Sequence, residues 1–211
     1  FQNRMEYIFQ EFDNIYVSFS GGKDSGLLLN LVLDYAKKNN IKKKIGVFHQ
    51  DFEAQYSVTT EYILNTFEKN LDRIEPYWVC LPMATRTALS SYEMYWYPWD
   101  DTKKDIWIRD MPKKPYVINI ENNPFYYYKY KMHQEKLAKQ FGRWYHEIHG
   151  CGKTICLLGI RASESLQRYN SIINKKYGYY GMCFISKMFS NVWCGSPMYD
   201  CCLLYTSDAA D

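Results

Sequence analysis

The sequence predicts an α/β protein built on a doubly wound, mainly parallel sheet. Three observations carry that expectation. Short apolar runs at 15–19, 45–49, 77–81 and 154–160 alternate with longer segments of helical apolar spacing. A glycine turn joins the first of those runs to the first such helix. Polar side chains gather just past the ends of the apolar runs, where open α/β sheets hold their ligands.

The bulk numbers agree with one globular domain. A chain of 211 residues can bury one good core. Its 26 basic and 23 acidic residues leave a net charge of +3, ordinary for a water-facing surface. No apolar run approaches the ~20 residues that cross a bilayer, and no basic start with an apolar core marks a signal peptide. No membrane contact and a cytoplasmic location are therefore expected. Seven cysteines occur without a Cys-x-x-Cys pair, which argues for reduced, buried thiols. No zinc or iron–sulfur cluster is expected, although Cys183, Cys194 and a histidine could supply ligands.

Taken in order, 5–12 reads as a short helix leading into the strand at 15–19. Residues 27–38 have the spacing of a helix packed on a sheet. The lysines at 37, 38, 42, 43 and 44 suit a helix end and a solvated turn, with a nucleic-acid patch as the alternative. The strand 45–49 ends at Gln50-Asp51-Phe52-Glu53. Asp51 and Glu53 can meet a ribose hydroxyl, an adenine amine or a metal, or else serve as the N-cap and first turn of a helix at 53–70. A third strand at 77–81 stops at Pro82, and 85–91 reads as a short helix. Residues 92–124 are aromatic and proline-punctuated, an insertion expected to fold over the ligand cleft, with Arg109 as an anion clamp. Residues 129–149 look helical. His146-Glu147-Ile148-His149 lacks the His-Glu-x-x-His spacing of a zinc protease, and Gly150-Cys151-Gly152-Lys153-Thr154 lacks the first glycine of a Walker loop. The strongly apolar run 154–160 is a central strand. Arg161, Glu164 and Arg168 follow it, placed to fork onto a phosphate or sulfate with Glu164 orienting an arginine.

The chemistry concentrates in Ser20-Gly21-Gly22-Lys23-Asp24-Ser25. Glycines let backbone approach an anion, and free N–H groups at a helix start point toward it. Lys23 adds a cation, and Ser20 and Ser25 add hydroxyls. Asp24 makes sense as a cap or as a ligand for magnesium carried by a nucleotide.

This six-residue turn is similar to the PP-loop, Ser-Gly-Gly-x-Asp-Ser. With Gly159-Ile160-Arg161-Ala162-Ser163-Glu164-Ser165, and with Ser196-Pro197-Met198-Tyr199-Asp200 as the start of a Pro-x-x-Asp-Trp element, it resembles the phosphoadenosine phosphosulfate (PAPS) reductase family. Glu-Ala-Gln-Tyr at 53–56, Tyr-Trp-Tyr-Pro-Trp at 95–99 and Ile-Trp-Ile-Arg at 106–109 look like its branch related to the immunoglobulin-binding regulator IbrA. The resemblance spans residues 5–200. It implies an adenine nucleotide α-hydrolase-like fold and an adenine nucleotide, PAPS or ATP, held by Ser20, Gly21, Gly22, Lys23, Asp24, Ser25 and Arg161. On that reading Lys23, Asp24 and Arg161 act at the reacting centre, with Asp51, Glu53, Glu164 and Arg168 as further nucleotide contacts and Asp24 as a magnesium ligand. The Cys-Gly-Leu-His element with which relatives attack sulfate is absent from these 211 residues.

Phe1 is not an initiating methionine, and residues 202–211 read as an in-frame translation of a transposase sequencing adapter. The expectation is a fragment truncated at both ends, with 201–211 not native and tryptophan encoded where Cys201 stands. Three functions stay open at this level. One is sulfonucleotide reduction. A second is an ATP pyrophosphatase that adenylates an acceptor and uses magnesium. The third is a non-catalytic nucleotide sensor acting with a ParB-like or sulfiredoxin-like partner.

Overall fold

The computed structural model describes residues 1–150, 152–173, 178–180 and 182–201. Cys151, Cys202 and the rest of the adapter-like tail lie outside those residues. An eight-stranded sheet carries the fold, in the order β6-β3-β2-β1-β7-β10-β9-β8. Its strands are β1 (Asn14–Ser18), β2 (Ile45–Gln50), β3 (Ile74–Val79), β6 (Val117–Ile118), β7 (Thr154–Leu158), β8 (Gly178–Tyr179), β9 (Met182–Phe189) and β10 (Val192–Gly195). A separate two-stranded ladder joins β4 (Thr85–Arg86) to β5 (Tyr95–Trp96). The ladders from β6 through β10 are all parallel, and β9 alone runs against its neighbours. Sheet order reverses between β1 and β7, so the two strand ends there open a crevice.

Helices cover both faces, as the parallel ladders require. The helices α1 (Gln2–Glu11), α2 (Lys23–Lys38) and α3 (Ser57–Asn70) bury Met5, Ile8, Leu28, Val32, Ile63 and Phe67 against Val17, Val47 and Leu157. On the other face α4 (Gln134–His149) sets Leu137, Phe141 and Tyr145 against Tyr16, Phe48, Tyr77 and Cys156. Alternate residues of β1 therefore serve opposite cores, as the pleat dictates. Phe141 stacks on Phe48 at 4.2 Å between ring centres and meets Tyr16 edge-on at 5.2 Å. A short α5 (Leu166–Ile173) follows a 3-10 turn at Ala162–Glu164.

Several boundaries differ from the sequence expectation. The expected helix at 85–91 is instead β4 and a turn. Thr87 Oγ1 accepts the Leu89 N–H, and Ser90 Oγ accepts those of Tyr92 and Glu93, so local hydroxyls take the donors a helix would have used. The helix expected from 53 starts at Ser57, because Glu53 has a φ of 62° and its N–H goes to the Asp51 carboxylate. Residues 92–124 are irregular, with a 3-10 helix at Asp101–Ile106, yet Val117–Ile118 adds the edge strand of the main sheet. No helix among the described residues is long and apolar enough to cross a membrane.

Candidate functional site

The crevice at the order reversal has β1, the 20–25 turn and α2 on one side, and β7 with its following loop on the other. Gly21 takes the left-handed conformation, with φ of 80°, and an added Cβ would stand 2.6 Å from Ile63 Cδ1. The turn is tied internally by its serines. Ser20 Oγ and Ser25 Oγ lie 3.0 Å apart, Ser25 Oγ donates to the Gly22 carbonyl at 2.9 Å, and Ser20 Oγ accepts the Gly22 N–H at 3.3 Å. Gly22 is the N-cap of α2, a 16-residue helix whose first-turn N–H groups face the crevice mouth.

From the opposite side, Gly159 touches the start of α2. A Cβ there would come within 2.8 Å of the Asp24 carbonyl and 2.9 Å of the Ser25 nitrogen. Only glycine lets the β7 loop approach this closely. That contact delivers Arg161, which is 7% exposed, to Asp24: Arg161 Nε donates to Asp24 Oδ2 at 3.1 Å, and Nη2 stands 3.0 Å from the same oxygen in an ion pair. The other ends of both groups are left over. Asp24 Oδ1 and Arg161 Nη1 are buried and have no hydrogen-bond partner among the described residues. Glu164 accepts the backbone N–H of Arg161 at 3.2 Å and pairs with the Arg168 guanidinium, not with that of Arg161.

The result is a cleft of about 330 Å³ lined by Ser20, Gly22, Lys23, Asp24, Ser25, Glu164 and Arg168. Lys23 and Ser20 are exposed at its mouth. Two cations, Lys23 and Arg168, a helix N-terminus and two hydroxyls converge here beside the Asp24 and Glu164 carboxylates, while Arg161 stands behind Asp24 and does not line the cleft. Sequence reasoning missed Gly159, Ser18, Leu158 and Ile160 as further wall residues. Gly159 had a signal, since a glycine at a strand end often marks close backbone approach.

Asp51 and Glu53 are placed elsewhere and do not line this cleft. Asp51 is fully buried. Its Oδ1 accepts Arg109 Nη2 at 2.5 Å and the Glu53 N–H at 2.7 Å, and its Oδ2 accepts Trp78 Nε1 at 2.7 Å. The Glu53 carboxylate accepts the backbone N–H of Trp99 at 2.8 Å and of Ile108 at 2.9 Å. Arg109 also donates to the Glu53 carbonyl at 2.9 Å and lies over the Trp99 ring. These acids anchor the insertion over the ends of β2 and β3, so the insertion does not wall the cleft and Arg109 is not free to clamp an anion. Cys80 lies 3.7 Å from Asp51, and burial followed by that carboxylate pushes its thiol pKa well up.

Among the described residues no cysteine lines the cleft. No group of three His, Cys, Asp or Glu side chains among them is placed to hold a metal. No family model matches the sequence. Over 178 residues the chain is 34% identical to the uncharacterized protein YbdN of Escherichia coli K12, a match taking in 83% of this chain and 41% of YbdN. The chain thus spans about two fifths of the length of that relative.

Proposed function

We propose that this chain binds an adenine nucleotide through a PP-loop formed by Ser20–Ser25, as a PAPS reductase-like protein that acts on the bound sulfonucleotide. The observation that carries the reading is the half-satisfied Asp24–Arg161 pair at the start of α2, with Asp24 in the wall of the cleft beside Lys23 and with Asp24 Oδ1 and Arg161 Nη1 unpaired among the described residues. A buried donor without a partner costs on the order of 1–3 kcal/mol, which an anionic ligand would recover. Lys23 and Arg168 would neutralise the phosphate or sulfate oxygens. Arg161 would donate its spare N–H, and the serines would fix the loop. A reduction also needs a thiol nucleophile, which would have to be brought to the cleft from elsewhere.

The unpaired Asp24 Oδ1 favours a second reading, an ATP pyrophosphatase in which that oxygen meets the magnesium carried by ATP. Equilibrium dialysis with PAPS and with ATP, each with and without magnesium, tests both. Metal-independent PAPS binding, weakened about tenfold by Lys23→Ala, is the expected result. Magnesium-dependent ATP binding that PAPS does not displace would replace the first reading with the second. Failure of the folded protein to bind either nucleotide overturns the proposal.

A further inference from the structure

A second cluster of reactive groups lies on the α4 face of the sheet. Cys156 of β7 and Cys194 of β10 stand opposite each other in a parallel ladder, and Tyr16 of β1 is the next residue in the same row. The Cys156 thiol is within electrostatic reach of both the Cys194 thiol and the Tyr16 hydroxyl. Met188 of β9 joins them. Its Sδ and the Tyr16 hydroxyl crowd the same point on α4, lying 3.4 and 2.7 Å from where a Cβ on Gly142 would stand. Cys156, Cys194 and Met188 line one cavity of about 390 Å³, with Lys139 and Lys187 in its wall and no carboxylate or histidine among its lining residues.

We propose that Cys156 Sγ, Cys194 Sγ and Met188 Sδ form a binding site for a soft monovalent cation of the copper(I) type. Three physical arguments select that class. Neighbouring strands run about 4.7–4.9 Å apart, close to twice a metal–sulfur bond of ~2.3 Å, so one ion can bridge the facing thiolates. A disulfide needs its Cβ atoms about 3.8 Å apart, which the ladder would have to distort to reach. Thiolate and thioether donors select copper(I), whereas calcium and magnesium want oxygen ligands and structural zinc wants four ligands. Two thiolates and one monovalent cation carry a net negative charge, and Lys139 lines the same cavity. Binding replaces the two thiol protons, released to solvent, and changes no oxidation state.

The test uses the full chain, reduced and anaerobic, with Cys151, Cys201 and Cys202 changed to serine to silence thiols outside the cluster. Copper(I) is delivered from a chromophoric chelator, and its loss from the chelator reads capture. One equivalent per chain is expected, with a sulfur-only shell in X-ray absorption. Cys194→Ala should abolish capture, Met188→Leu should weaken it by on the order of tenfold or more, and Cys80→Ala and Cys183→Ala should leave it unchanged. Cys156 is buried and its variant can fail to fold, so Cys194→Ala and the near-isosteric Met188→Leu decide the matter. Capture that survives Cys194→Ala, a shell rich in nitrogen or oxygen, or no capture by the folded protein overturns the proposal.

Discussion

Two arginine–aspartate pairs stand near strand ends of one sheet, and they are built differently. In the Asp51–Arg109 pair, Asp51 is fully buried, and both its oxygens and both those of neighbouring Glu53 accept hydrogen bonds from Trp78, Trp99, Ile108, Arg109 or the Glu53 backbone. In the Asp24–Arg161 pair one oxygen does all the accepting, and one carboxylate oxygen and one guanidinium nitrogen go without. The first arrangement closes on itself and holds the insertion to the sheet. The second leaves a buried oxygen and a buried nitrogen unpaired among the described residues, with Asp24 in the wall of a cleft. A charge at a strand end is therefore a weak sign of a binding site, and the unfilled valence beside it is the informative part.

The sharpest way to break this contrast is to remove one partner of the closed pair. Asp51→Ala strands Arg109, and Arg109→Ala strands Asp51, each at a cost of about 3–5 kcal/mol. Denaturant melting should show that loss, while nucleotide affinity of the folded fraction stays the same. A matching fall in affinity would mean that the two pairs are not separate devices. Next in size is Gly159→Val, whose side chain would collide with the Asp24 carbonyl 2.8 Å from the Cβ position. Overpacking of that kind costs about 1–3 kcal/mol. Here stability and nucleotide affinity should fall together, because the contact shapes the cleft.

Arg161→Lys is expected to act mainly on binding. Lysine keeps the charge and loses the fork, so affinity for the anion should drop by about tenfold with little change in melting. The smallest effect at neutral pH concerns Asp100 in the insertion. Burial works against its charged form, but hydrogen bonds from Lys131, Thr102 and Tyr130 outweigh that and hold its carboxyl well below the usual carboxylate range. A carboxyl depressed by folding stabilises above its unfolded pKa of about 4 and loses that contribution as the pH falls. Acid should therefore loosen the insertion, and Asp100→Asn should flatten the slope of stability against pH below about pH 4. Tryptophan fluorescence reads both, since Trp99 and Trp107 pack edge-to-face there at 5.1 Å.

Much of the strand, turn and helix around the cleft was legible because it is local. An apolar run, two glycines and an amphipathic helix name β1, the turn and α2 within about 25 residues of sequence. Arg161, Glu164 and Arg168 were legible for the same reason, standing just past the most apolar strand. Other elements hid. Pro76 sits inside β3 and masks its first half, and the structure accepts it because β6 pairs only with Trp78 and Val79. The start of α3 was misplaced because Glu53 spends its side chain on residues 46 and 55 positions away and its carbonyl on Arg109, 56 positions away. The antiparallel pair β9 and β10 carries no periodic signature beyond scattered aromatics, and the sequence left its role open.

Sequence alone determined that this chain makes an α/β sheet with a glycine turn opening a long helix, and it singled out Ser20, Lys23, Asp24, Ser25, Glu164 and Arg168 at one cleft along with Asp51 and Glu53, which lie elsewhere. Those features depend on neighbours a few residues apart, where periodicity and backbone freedom decide the outcome. Tertiary structure decided which charges remain available. Asp24 and Arg161 are 137 residues apart and Asp51 and Arg109 are 58 apart, so their pairing depends on strand order and on how closely Gly159 lets two loops approach. Hydrogen-bond satisfaction is a property of the packed whole. It made the Asp51 carboxylate a fastening and left one oxygen of Asp24 without a partner among the described residues.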